Sequence, residues 1–199
     1  MAKIKLTKNE LKKQKDQLKR FERYLPTLLL KKQLLQMEIR QVEVLIKEKR
    51  QEREKALAEL FHWVDVFGEG LDLAPLVSVK AVRLDTQNIA GLDIPVFEDI
   101  SFENVAYDLM THPLWVDAGL EKIKELVTFD VELDVLERQL ELLAAELRVT
   151  SQRVNLFEKV KIPETKENIR VINIFLGDQQ TAAVVRGKMS KSKLVRGTA

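Results

Sequence analysis

Apolar residues recur every seven positions along two long stretches of the chain, one near each end, and the segment between them follows a different rule. In the first stretch the a positions are Leu11, Leu18, Leu25, Lys32, Ile39, Ile46, Arg53 and Leu60, and the d positions are Gln14, Phe21, Leu28, Leu35, Val42, Lys49 and Ala56. In the second they are Leu126, Leu133, Leu140, Leu147 and Val154 for a, and Phe129, Leu136, Leu143, Thr150 and Phe157 for d. A narrow a/d seam held over this many turns is the signature of a left-handed supercoil rather than of a helix lying on a globular core. Two such stretches joined by a short insert predict a mainly α fold: a long antiparallel two-helix coiled coil with a small β-hairpin insert at its tip. The boundaries expected are a coiled-coil helix over 1–66, an insert over 67–112, a second coiled-coil helix over 113–160, and a final helix with a basic tail over 161–199.

Local signals refine these elements. Thr7 followed by Glu10 reads as a capping box that starts the first helix, which then runs to about Val66. Pro26 interrupts it: a mid-helix proline removes a backbone donor and clashes with the preceding turn, which predicts a kink between Glu22 and Pro26. In the insert, LVSVKAVRL over 76–84 and IAGLDIPVF over 89–97 flank Asp85-Thr86-Gln87-Asn88 and read as a hairpin spanning about 76–97. Gly91 suggests a bulge or a close backbone approach, and Pro95, which cannot donate to a ladder, belongs on an edge or at a strand end. Pro113 suits the start of the second helix. Pro163 breaks or kinks the path, and Thr165 caps a further helix to about Leu194 whose apolar face is Ile169, Ile172, Phe175, Leu176, Ala182, Ala183 and Met189.

A turn between about residues 60 and 120 pairs residues whose numbers sum to about 180, within a heptad. Pro26 and Pro163 then fall within a few turns of one height, which makes them a candidate shared hinge. In the same register the chain beyond about Thr181 projects past the N-terminus as a single basic helix.

Composition agrees with an extended helical chain, since charged residues make up 32 % and glycine and proline number only seven and five. Cysteine is absent, which excludes thiolate metal sites, thiol nucleophiles and disulfides and fits a reducing compartment. No apolar run is long enough to cross a bilayer, and MAKIKLTKNELKKQ lacks the apolar middle of a secretory signal, so a cytoplasmic protein that reaches a membrane only through partners is expected. Charge is segregated. Residues 1–32 hold eleven Lys/Arg against three acids, residues 179–199 hold five cations and no acid, and residues 59–118 hold eleven acids against Lys80 and Arg83. A hairpin fold gathers both basic ends at one pole, where an acidic partner surface accounts for them.

Catalytic chemistry is not visible. His62 and His112 flank the insert without a ligand pattern, and no phosphate-cradling glycine loop is present. The carboxylates fall among basic residues on outer faces, where nothing shifts their pKa values toward catalytic use. Few aromatics lie outside the seam or insert, which argues against a stacking platform for nucleic acid.

An ordered set of short motifs resembles one family. Leu6-Thr7-Lys8-Asn9-Glu10-Leu11 precedes Leu28-Leu29-Leu30-Lys31-Lys32-Gln33-Leu34-Leu35; Ile89-Ala90-Gly91-Leu92-Asp93-Ile94-Pro95 follows in the insert; then come Arg153-Val154-Asn155-Leu156-Phe157-Glu158, Ile162-Pro163, Ile169-Arg170-Val171-Ile172 and Arg186-Gly187-Lys188. Over essentially its whole length the chain resembles the D subunit of the V-type (A/V-type) ATPases, a central rotor shaft. The resemblance implies a non-catalytic subunit with no cofactor. It implies that the terminal helices enter a ring of catalytic A and non-catalytic B subunits, and that the other end meets the F subunit and the connector on the membrane rotor. On that reading Lys12, Lys13, Lys15, Lys19, Arg20, Arg186, Lys188, Lys191 and Lys193 supply polar contacts to the ring. The gamma subunit of F-type ATP synthases shares the shaft logic, but its large α/β domain does not fit an insert of about fifty residues; a non-rotary coiled-coil tether or adaptor is the other alternative.

Overall fold

The computed structural model describes residues 4–61, 76–103, 105, 113 and 115–197, with side chains as far as 194. Its elements in order are helix α1 (Lys8–Phe61), strands β1 (Val79–Ile89) and β2 (Leu92–Phe102), helix α2 (Val116–Asn155), a π-helical turn (Leu156–Lys161) and helix α3 (Ile162–Gly197). The fold is mainly helical with a small antiparallel hairpin. The stretches 62–66 and 106–112, with the expected end of the first helix and both histidines, lie outside the described residues. The chain forms two compact units, residues 32–149 and residues 1–31 with 150–199.

In the unit of residues 32–149, the seam positions predicted from the heptads are the ones turned inward. Leu35, Val42 and Ile46 of α1 and Leu133 and Leu143 of α2 form a buried cluster, with Ile39, Leu136, Leu140 and Leu147 packed around it. Two seam positions that carry cations, Lys49 and Arg53, meet acids of α2. Lys49 Nζ lies 2.9 Å from Glu132, Arg53 Nε donates to Asp130 at 2.5 Å, and outside the seam Lys122 Nζ reaches Glu59 at 3.1 Å. The residue numbers in these three pairs sum to 181–183, the register expected from the position of the turn.

The hairpin lies back along this helical pair. Ile94, 2 % exposed, enters the cluster with Leu35, Val42 and Leu143, and Ile89, Ala90 and Leu92 pack against it. The turn is Ala90-Gly91, both with positive φ (52° and 80°), between the pair Ile89 and Leu92. Two consecutive left-handed residues make the tight turn whose twist suits a hairpin. The expected turn at Asp85–Asn88 is therefore corrected: those residues sit within β1, and Gly91 serves the turn rather than a bulge. Local polar residues misled the reading, because Asn88 spends its side chain on the turn itself, donating to Asp93 and accepting from the Gly91 N–H. The register shifts lie between Val79 and Ala81 and between Arg83 and Leu84.

Counting from the closing pair, bonded and non-bonded pairs alternate, so Pro95 opposite Thr86 falls at a non-bonded position where its missing N–H disrupts nothing. Its carbonyl, turned to the outer edge, accepts a bond from Nε2 of buried Gln139 on α2. On the other edge the Thr86 N–H is taken by the Asp85 carboxylate at 2.7 Å, which blunts β1 against pairing with a further strand.

In the unit of residues 1–31 with 150–199, Thr7 caps α1 by accepting from the Glu10 N–H at 3.2 Å. The reciprocal half of the capping box is absent, because the Glu10 carboxylate instead accepts from Gln14 at 2.9 Å. Phe21 and Phe157 meet with ring centroids 5.2 Å apart, Asn168 donates to Gln14 at 3.5 Å, and Lys166 approaches Glu22 at 3.6 Å. These pairs sum to 178–188, again the antiparallel register.

α1 is helical through Pro26, and the Thr27 hydroxyl donates to the Tyr24 carbonyl beside it. Pro163 does not start a separate helix. The path from α2 into α3 is continuous, and Thr165 donates its hydroxyl to the Lys161 carbonyl one turn back rather than capping a terminus. What replaces the expected break is the π turn, whose wider loop is closed by the Ile162 N–H on the Phe157 carbonyl. A π turn inserts one extra residue into a helix, and the burial pattern records it. Inward positions Thr150, Phe157, Thr165 and Ile172 are spaced by seven, eight and seven, so the seam resumes one residue late after the turn. Heptad counting alone puts the seam at Glu164 and Val171, which are exposed.

Candidate partner-binding surfaces

The nine cations expected to serve a partner all lie in the unit that joins the two chain ends. Lys12, Lys13, Lys15, Lys19 and Arg20 project from the first turns of α1, and Arg186, Lys188, Lys191 and Lys193 from the last turns of α3; all nine are exposed. None of them forms an ion pair among the described residues, whereas Lys49, Arg50, Arg53, Lys122 and Arg138 in the unit of residues 32–149 are each paired with an acid. The α1 set flanks the seam residues Leu11, Gln14 and Leu18, so the heptad that buries one face forces the lysines outward. The two groups occupy successive heights rather than one ring. With pairs summing to 178–188, the start of α1 at Lys8 stands opposite residues 170–180, and α3 continues beyond it with Ala183–Leu194 exposed on every side.

Sequence reasoning emphasised charge on this last segment and passed over part of its apolar content. Val184, Val185, Met189 and Leu194 are 58 %, 48 %, 60 % and 72 % exposed. Ile169, Ile172, Phe175, Leu176 and Ala182 of the expected apolar face do turn inward, but Ala183 and Met189 do not. Large apolar side chains interleaved with cations, on a helical segment that no other described residue of its unit covers, make a surface suited to insertion into a partner. The signal was present in the sequence as valines and a methionine persisting after the antiparallel partner runs out.

Gly91 and Pro95 are structural: the one allows the turn and the other presents the carbonyl that Gln139 holds. Pro26 lies inside α1, and Pro163 is the second residue of α3, directly after the π turn.

The described residues offer no group of three or more His, Asp or Glu able to hold a metal ion, and none of their helices is long and apolar enough to cross a membrane. Perturbed titrations among them belong to ion pairs along the helices. The Glu132 carboxylate beside Lys49 raises that ammonium above its ordinary value, and Asp130 does the same for Arg53. Glu125 and then Glu59 raise Lys122. On α3 the bidentate contact with Arg170 lowers Glu167, and Glu167 in turn raises Arg170. These pairs pin register and local helix rather than converge on a cavity.

Comparison with known proteins agrees with this architecture. The family model describing the D subunit of ATP synthase matches residues 10–192. The chain is 54 % identical over 196 residues to the V-type ATP synthase D subunit of Borreliella burgdorferi, covering 98 % of this chain and 97 % of that one. It is 35 % identical over 194 residues to the protein of the same name in Chlamydia pneumoniae, and 36 % identical over 196 residues to that in Chlamydia caviae, covering 96 % and 97 % of this chain and 93 % and 94 % of theirs. With the match running almost end to end across both helical stretches and the hairpin between them, the chain belongs to the family of ATP synthase D subunits.

Proposed function

We propose that this chain is the central-stalk rotor subunit of a V-type ATPase, transmitting torque between the catalytic ring and the membrane ion-translocating rotor without catalysing a reaction itself. The observation that supports this best is the end of α3: an exposed helix whose Arg186, Lys188, Lys191 and Lys193 have no ion-pair partner among the described residues, beside exposed Val184, Val185 and Met189, continuing past the start of α1. Inserted into a ring of A and B subunits, such a helix presents different groups to different subunits as it turns. The nearby Lys12, Lys13, Lys15, Lys19 and Arg20 add a second tier of contacts. Each exposed contact contributes only about 0–1 kcal/mol, so their asymmetric placement matters more than any one of them.

A shaft must also resist sliding between its two helices. The pairs Lys49 with Glu132 and Arg53 with Asp130 oppose a one-turn slip, because such a slip separates each cation from its acid and leaves polar groups in the seam. The F subunit and the membrane-rotor connector are the remaining partners on this reading, and the protein sits in the cytoplasm, peripheral to the membrane through the complex. Pro26 and Pro163 act as the compliant joint of the shaft.

Reconstitution with the purified A/B ring tests the proposal. A rotor is recovered once per ring of three catalytic subunits and changes their ATPase rate. A chain that binds in another ratio, or leaves the rate untouched, is a tether and not a rotor.

A further inference from the structure

The apolar seam is not equally filled along its length. In the unit of residues 32–149 three elements share it: Leu35, Val42 and Ile46 of α1 and Leu133 and Leu143 of α2 are buried, and the hairpin adds Ile94 to the same cluster. In the unit of the two chain ends the described residues that face each other all lie on helices. The buried ones are Thr150, Val154, Thr165 and Ile172, all on α2 and α3, and no described residue of α1 before Leu35 is buried. Leu11, Leu18, Phe21, Leu25 and Leu28 hold their seam positions but are only half-buried. Two helices leave the flanks of such side chains open to water where a third element would cover them.

Other features weaken the same unit. Thr150 and Thr165 put hydroxyls among its buried side chains, and Gln14 with Asn168, 3.5 Å apart, places a polar layer in the seam. Polar groups at such positions fix register at a cost in stability. The backbone is affected too: Pro26 withdraws a hydrogen-bond donor from α1, and the π turn interrupts the α-helical ladder of the facing helix. Lys166 stands 3.6 Å from Glu22, whereas Lys49, Arg50 and Arg53 reach their acids on α2 at 2.9, 2.6 and 2.5 Å. A helix in a folded protein is held mainly by burial of its apolar face, and a protein opens first where that burial is poorest.

We propose that the paired chain ends form a unit that opens on its own, ahead of the rest of the shaft, and that the catalytic ring keeps it closed by supplying the third surface it lacks. On opening, α1 over residues 8–31 parts from α3 while α1 from Leu35 onward stays held in the cluster with Leu143 and Ile94. The closing surface is apolar where it meets exposed Tyr24 and Leu30, and mainly acidic around them, since residues 8–31 hold eight cations and three acids. The inference rests on the reading of the chain as a rotor, and it adds that assembly tightens the end of the shaft itself.

Hydrogen exchange read by mass spectrometry, on the full chain alone and in the assembled ATPase, tests this. In the free chain the backbone amides of residues 12–31 are expected to exchange about a hundredfold or more faster than those of residues 35–46. In the complex that gap is expected to fall below about tenfold, because the ring binds the closed form. The double variant Gln14→Leu, Asn168→Leu, which makes the polar layer apolar, is expected to slow exchange over 12–31 by about tenfold or more in the free chain and to leave 35–46 unchanged. Equal protection of the two stretches in the free chain, no slowing in the double variant, or exchange over 12–31 that stays as fast in the complex overturns the proposal. Failure of the wild-type chain to assemble with the ring overturns the rotor reading and the part given to the ring, whereas the gap within the free chain is read without any partner, so the two failures are distinct.

Discussion

The π turn at Leu156–Lys161 makes a deletion prediction that runs against the usual rule for helices. Removing one residue from a helix rotates everything beyond it by about 100°, which ordinarily turns a buried seam to solvent. Here the seam already carries one residue too many, with Phe157 and Thr165 eight apart. Deleting exposed Lys159 lets the π turn close to an α turn and restores a spacing of seven, so Thr165, Ile172 and Phe175 keep their inward positions. The remaining obstacle is Pro163, whose ring meets the preceding turn once the helix tightens, at a cost of about 3 kcal/mol. Deletion of Lys159 combined with Pro163→Ala is therefore expected to leave thermal stability within about 1 kcal/mol of the wild type, and the deletion alone to lose about 3 kcal/mol. Deleting exposed Arg23 is the comparison, because α1 has no π turn to absorb it. It drives Leu11, Leu18 and Phe21 off the seam; at about half of the 1.5–3 kcal/mol of a full burial each, the loss is about 3 kcal/mol. Urea unfolding of the full chain with far-ultraviolet circular dichroism reads all three. If the double change is as damaging as removal of Arg23, the phase argument fails.

Further changes test separate parts of the account. Ile94→Ala removes the side chain that anchors the hairpin in the cluster with Leu35 and Leu143; a loss of about 2–5 kcal/mol is expected to exceed what a two-stranded ribbon retains alone, so the amides of β1 and β2 should exchange rapidly while α1 and α2 stay protected. Gly91→Ala has open space around the new methyl group but a φ of +80°, so a cost of about 1–2 kcal/mol from the backbone alone should appear in the same exchange experiment. Lys49 is raised above its ordinary 10.5 by Glu132, so its contribution is fully present below that value and is lost as pH rises through the higher folded one; the stability advantage of wild type over Lys49→Met should shrink at pH above about 10.5 and stay level from neutrality to that point. Charge reversal of Arg186, Lys188, Lys191 and Lys193 together is expected to lower the rotor-dependent change in ring ATPase rate without changing the melting temperature of the isolated chain, because all four are exposed and have no ion-pair partner among the described residues.

Much of the helical architecture is written in the heptads. Leu35, Val42, Leu133 and Leu143 are buried because the a/d pattern leaves them nowhere else to go, and the pairings of Lys49 with Glu132 and Phe21 with Phe157 fall where the position of the turn puts them. The hairpin was legible as a pair of strands but not in its turn. Ala90 carries none of the usual preference for a positive φ, while Asp85–Asn88 carry turn-forming side chains that are used for bonding within the strand and around the true turn. The π turn was hidden for a different reason: Pro163 signalled local trouble, and the helix answered by widening one turn upstream rather than stopping. The partner surface was half visible. Cations at Lys12–Arg20 and Arg186–Lys193 stand out in any charge count, but Met189 read as part of an apolar face and Val184 and Val185 were passed over, and all three are exposed.

Rotation observed directly is the closest test of the central proposal. The chain contains no cysteine, so a single one introduced at exposed Arg83 on β1 gives one attachment point for a bead, with the A/B ring fixed to a surface. The account predicts that ATP drives continuous rotation of the bead in one direction, and that charge reversal at Arg186, Lys188, Lys191 and Lys193 impairs it. A bead that stays still, or only fluctuates, while the same assembly hydrolyses ATP with this chain bound would contradict it.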